Sequence, residues 1–120
     1  MKLEIKSLRS FVGSKDFEVS RSFYRDLGFE EKVISDILSL FQIEAFAFYL
    51  QSSYVKDWIN MTELFMVVED MKQCFEQIKQ LELKKKYTGI RIVPVKETPW
   101  GEACYIIDPS GIALCFAQFK

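Results

Sequence analysis

The chain runs twice through the same order of elements: one strand, one helix, three strands. "LEIKSLRSFVG", residues 3–13, reads as the first strand. "SKDFEVSRSFYRDLG" follows, with Phe17, Ser20, Phe23, Tyr24 and Leu27 at helical spacing and Gly28 to stop the helix. Asp16 or Ser14 can cap its start. "FEEKVIS", "ILSLFQ" and "AFAFYLQ", rich in aromatic and β-branched residues, then read as three strands. The second pass opens with the strand "TELFMVVE". It continues with the helix "DMKQCFEQIKQLEL", whose apolar face is Met71, Cys74, Phe75, Ile78 and Leu81. "IRIVPV" is a strand in which Pro94 suits an edge or an end. "EACYIID" and "IALCFAQF" close the chain as a hairpin around Asp108-Pro109-Ser110-Gly111.

That order limits the fold. A single βαβββ unit cannot cover both faces of its sheet, so the two units must associate. The expected class is α+β, a single domain over residues 1–120. Module one spans about 1–52, a polar linker "SSYVKDWINM" about 53–61, and module two about 62–120.

Charge and cysteine usage narrow the function. A net charge of -1 does not supply the basic face that a nucleic-acid partner favours. The one basic run, Lys84-Lys85-Lys86, reads as the solvated end of a helix, where cations suit the macrodipole. No apolar stretch approaches the roughly 18 residues of a membrane span, and "MKLEIKSLRS" lacks the apolar core of a signal peptide. Three scattered cysteines do not make a disulfide framework, so reduced thiols and a cytoplasmic location are expected.

"SKDFEVSRSFYRDLGFEE" resembles the first-helix signature of the vicinal oxygen chelate superfamily, which includes glyoxalase I, extradiol dioxygenases, fosfomycin-resistance enzymes and bleomycin-resistance proteins. "TPWGEACYIIDPSGIAL" is similar to that superfamily's last hairpin, above all in the bleomycin-resistance-like branch. The resemblance covers nearly the whole chain. The resemblance implies paired βαβββ modules curved into an open cup, a homodimer, and a small-molecule ligand in the cup. In the metal-using members, ligands come from the first strand of each module and from the last strand. The matching positions here are Arg9, Glu63 and Cys115. Arginine stays protonated and has no lone pair to donate. The chain has no histidine. Glu63 and Cys115 alone are two ligands of different hardness, too few for a tight divalent site. The resemblance therefore implies the fold and the cup without a metal or other cofactor.

The last strand alternates bulky Ile112, Leu114 and Phe116 with small Ala113, Cys115 and Ala117. The bulky face is expected on the helix. The small face either lines the cup or accommodates bulky neighbours from the facing strand. Arg9 and Glu63 either pair on the cup floor, or Arg9 grips a ligand carboxylate or phosphate, or both sit solvated at the rim. Aromatic residues make up 15% of the chain, and most are expected in the core, Phe17, Phe23 and Phe75 among them on helix faces. Tyr49, Trp58, Trp100 and Tyr105 fall on cup strands, on the linker or in the Pro-Trp-Gly turn, where flat rings serve as stacking platforms. Trp58 alternatively covers an interface or a sheet edge. Two turn geometries are open for the final hairpin: one sets Cys104 opposite Phe116, the other opposite Cys115.

The expected function is a metal-independent binding protein that sequesters an aromatic or amphipathic ligand in a dimeric cup. Two alternatives stand beside it. One is a lyase, isomerase or dioxygenase-related enzyme of the same superfamily, with Glu63 as candidate general base. The other is an interaction module whose cup is filled by its partner subunit.

Overall fold

A computed structural model describes all residues, 1–120. β1 (Ser10–Gly13), α1 (Phe17–Asp26), β2 (Glu30–Ser35), β3 (Leu38–Ile43) and β4 (Phe46–Gln51) form the first module. A short helix, α2 (Lys56–Met61), leads to the second. That module comprises β5 (Glu63–Val67), α3 (Met71–Gln80), α4 (Leu83–Lys86), β6 (Arg91–Thr98), β7 (Gly101–Ile107) and β8 (Ala113–Phe119). The two long helices begin alike. The Asp16 carboxylate accepts from the Val19 N–H at 3.2 Å, and that of Asp70 from the Gln73 N–H at 3.0 Å. Each satisfies one of the free donors at a helix start.

The eight strands divide into two four-stranded sheets of identical topology, ordered β1-β4-β3-β2 and β5-β8-β7-β6. In each, the first strand lies parallel to the last and the other pairings are antiparallel. Pro94 lies in edge strand β6, where the register shifts between Val93 and Lys96, so its missing N–H costs no inner ladder bond.

One face of each sheet packs on the helices. Phe41, Phe48 and Leu50 from the first sheet and Ile106, Leu114 and Phe116 from the second join Phe17, Phe23 and Tyr24 of α1 and Met71 and Ile78 of α3 in a single buried cluster. The modules are thus joined by a shared core rather than by strand pairing. Polar contacts cross the same junction. The buried Tyr24 hydroxyl donates to Asp108 at 2.6 Å, and the Lys15 N–H donates to the Ser110 hydroxyl at 2.8 Å. No helix is long and apolar enough to cross a membrane.

Two local expectations are corrected. The first strand is only Ser10–Gly13; residues 3–9 lie outside any strand, with Leu3, Ile5 and Leu8 exposed. Their alternation suits a strand, but no strand of this chain lies alongside to pair with them. The linker is not wholly irregular, since α2 buries Ile59 in the core. Lys84-Lys85-Lys86 is the exposed end of a helix as expected, that helix being the short α4, set off from α3 where Glu82 takes a left-handed φ of 50°.

Glu31 gives the helix side of β2 its acid sensitivity. Burial works against its charge, but hydrogen bonds from Arg21 (2.6 Å), Ser39 (2.7 Å) and Arg25 (2.6 Å) outweigh that and hold its carboxyl at about 2. A depressed carboxyl stabilises the fold above its ordinary value of 4.5, and the contribution fades as pH falls towards 2. Glu31→Gln should therefore cost about 2 kcal/mol at neutral pH, discounted because Arg25 is half-exposed. The difference from the parent should shrink by pH 3 in urea unfolding curves.

Candidate functional site

The faces turned away from the helices are open. Residues directly paired across strands share a face, so the register defines each surface. On the first sheet one row runs Phe11, Tyr49, Leu40, Lys32. On the second the corresponding row runs Phe65, Cys115, Tyr105, Val93, and the next runs Val67, Ala117, Ala103, Lys96.

The small residues of the final strand do lie on the open face. They are not open space, however. Ala103, Cys115 and Ala117 form a second buried cluster with Tyr105 packed against it, separate from the main core. Larger rings stand exposed around this floor. Phe65, Trp100 and Phe119 gather with centroids 5.1–6.1 Å apart. On the first sheet Phe11 is half-exposed, its ring centroid 4.9 Å from that of Tyr49. Sequence reasoning did not single out Phe11, Phe65 or Phe119. The available signal was strand phase: Phe11 lies two residues from Arg9, and Phe65 two from Glu63.

Arg9 precedes β1 in the same phase as Phe11. Its Nη1 donates to the Tyr49 hydroxyl at 3.0 Å and its Nε to the Ser7 hydroxyl at 3.1 Å; the guanidinium carbon lies 5.8 Å from the Tyr49 ring centroid. Glu63 is exposed at the start of β5, opposite Ala113. Arg9, just before β1 of the first sheet, and Glu63, on the second sheet, form no ion pair, so of the three readings open for them the pairing on a common floor does not occur within the chain. Glu63, Tyr105, Cys115 and Trp100 sit on the second sheet or at its end, Arg9 and Tyr49 on the first. Trp58 is exposed on α2, where it helps line a cleft of about 50 Å³ with Phe11 and Gly13. Gly13 is required there, because a Cβ would meet the Ser53 carbonyl oxygen at 2.5 Å. None of the four main cavities draws on both sheets' open faces.

The hairpin geometry decides the thiols. Gly111 takes a left-handed φ of 104°, and Cys104 pairs with Phe116 on the helix side while Cys115 pairs with Tyr105 on the open side. No cross-strand thiol pair forms. Burial pushes the Cys104 thiol up to about 12 and raises that of Cys115, so neither is a thiolate near neutral pH. The Cys115 thiol, then burial, push the Tyr105 hydroxyl up to about 12, which leaves it protonated as a donor. Glu63 and Cys115 share the open face of the second sheet on neighbouring strands, close enough for the Glu63 charge to raise the Cys115 thiol, but Arg9 stands beside the first sheet, and nowhere do three or more His, Cys, Asp or Glu side chains gather as metal ligands. The residues present do not fit the metal centre of the metal-using proteins.

No protein-family model matches the sequence, and no curated protein does. Solved structures do match in fold. A bleomycin resistance determinant encoded on the transposon Tn5 is 18% identical, over 97% of this chain and 99% of that one, with a TM-score of 0.80. The bleomycin-binding protein of Streptomyces verticillus, complexed with copper(II)-bleomycin, is 17% identical over 99% of this chain and 100% of that one, with a TM-score of 0.81. A lactoylglutathione lyase of Agrobacterium tumefaciens is 16% identical over 95% and 94%, with a TM-score of 0.72. The chain therefore has the bleomycin-resistance and glyoxalase fold of two βαβββ modules, as its motifs implied.

Proposed function

We propose that the chain is a metal-independent small-molecule-binding protein that sequesters an aromatic or amphipathic ligand between two copies of itself. One observation carries this reading: each sheet presents exposed rings on a face that nothing else in the chain covers. Apposing the first-sheet face of one copy with the second-sheet face of another would make a cup walled by Phe11 and Tyr49 on one side and Phe65 and Trp100 on the other. Stacking surfaces of this kind take planar ligands. Two of the proteins similar in fold bind or confer resistance to bleomycin, which supports binding over turnover. So does the chemistry of the site. Its thiols are protonated, and Glu63 is exposed with no ion-pair partner. Three free thiols suit the cytoplasm.

A thermal-shift screen of aromatic and amphipathic compounds tests this directly. Hits should raise the melting temperature progressively with concentration. EDTA should change neither the melting temperature of the free protein nor any hit. A stabilisation that needs added divalent metal, or conversion of a hit into product by NMR, would replace the binding reading with the enzyme.

A further inference from the structure

Charges on the strands are sorted by face. Glu31 pairs with Phe41, and Glu97 with Glu102 and in turn with Gln118, whose side chain meets the start of α3. These three carboxylates are therefore on the helix side. The cations fall on the other side. Lys32 shares its row with Leu40 and Tyr49, Arg91 with Ile107, and Lys96 with Ala103. With Arg9 in phase beside Phe11, the open faces carry four cations, Arg9, Lys32, Arg91 and Lys96. Against them stand two carboxylates, Glu30 opposite Gln42 and Glu63 opposite Ala113. The balance of four positive against two negative is +2, on a chain whose net charge is -1. All four cations are exposed, and none enters an ion pair; the chain's ion pairs use Arg21, Arg25, Lys79, Lys85 and Lys86 instead.

From this sorting we infer that the ligand is an aromatic anion, with Arg9 as its anchor. The inference rests on the cup reading above and adds the sign of the ligand's charge. Arg9 suits the role by geometry. The Ser7 and Tyr49 hydroxyls take one N–H each from Nε and Nη1, which orients the guanidinium, 5.8 Å from the Tyr49 ring centroid, and leaves Nη2 without a hydrogen bond. A carboxylate, sulfonate or phosphate can accept from that free edge while its ring system stacks on the aromatic wall. Lys32, Arg91 and Lys96 add field rather than fixed contacts. Apolar walls focus such a field once a second copy excludes water.

The test uses three probes with one ring system: 2-naphthoate, 2-naphthylmethanol and 2-naphthylmethylammonium, titrated calorimetrically into the full chain. Naphthoate should bind about tenfold or more tighter than the alcohol, as a charge-assisted hydrogen bond implies, and the ammonium weakest. The preference should shrink as salt rises from about 20 to about 500 mM. Arg9→Gln should lower naphthoate affinity about tenfold and leave the alcohol unchanged. Lys84→Gln makes the same charge change on α4, whose Leu83 packs in the helix-side core, and should leave all three unchanged. Equal affinity for the three probes, or tighter ammonium binding, would overturn the anion while sparing the cup. A loss of naphthoate affinity in Lys84→Gln equal to that in Arg9→Gln would overturn the anchor. Absence of binding by all three at millimolar concentration would overturn the cup reading itself.

Discussion

Asp108→Ala should destabilise the fold by roughly 3–5 kcal/mol and lower the melting temperature by about 10–20 °C. Asp108 is buried, and one carboxylate oxygen accepts from the N–H groups of Ser110 (2.8 Å), Gly111 (2.9 Å) and Ile112 (2.9 Å). Its other oxygen accepts from Tyr24. Alanine would strand the buried Tyr24 hydroxyl and loosen the turn in one change, and each orphaned donor costs about 1–3 kcal/mol. A 120-residue domain typically holds about 5–15 kcal/mol in total, so the loss would be large. Asp108→Asn keeps one acceptor oxygen for the turn and should cost less than half as much. Its pH dependence carries a second signature. Burial raises the Asp108 carboxyl above its ordinary 3.8, against the pull of Tyr24 and the backbone donors. The folded state therefore holds that proton more tightly than the unfolded chain, so this residue's contribution falls as pH rises from 3.8 through the raised value. That is opposite in sign to Glu31, and Asp108→Asn should remove it. Urea unfolding from pH 3 to 7 measures both.

Phe116→Ala should cost a similar roughly 3–5 kcal/mol, because its ring is buried in the core shared by both modules and alanine leaves a cavity. Its neighbour on the other face behaves differently. Cys115 is fully buried against Tyr105, so Cys115→Phe should cost about 1–3 kcal/mol by overpacking. Phe65, paired with Cys115 but half-exposed, should tolerate alanine at less than about 1 kcal/mol while weakening any ligand found by the screen. Equal losses at Phe116 and Phe65 would mean that the open face is packed like the core.

The final strand shows what was legible in the sequence. Strict alternation of Leu114 and Phe116 with Cys115 and Ala117 assigns the two faces, since a strand can turn its side chains only two ways. Alternation does not say what stands over the small residues. Tyr105, from the neighbouring strand, packs against them, which is the second of the two readings that the alternation left open. The Asp-Pro-Ser-Gly turn was legible as a turn, but its register was not. That depended on the left-handed Gly111 and the three donors on Asp108. Arg9 and Glu63 were placed by matching the resemblance's ligand positions, yet a position counted along a strand carries nothing about two sheets that share no ladder. The helix α2 escaped notice because six residues, Lys56–Met61, with a lone buried Ile59 are too short to show a period. Residues 3–9 have the composition of a strand, and composition cannot supply a partner.

Sedimentation equilibrium at micromolar concentration tests the central claim, that the two open faces are halves of cups completed by a second copy. A species of twice the 14.1 kDa chain mass is expected, held together more tightly in the presence of a screened ligand. A single species at 14.1 kDa, with and without a ligand that demonstrably binds, would contradict it.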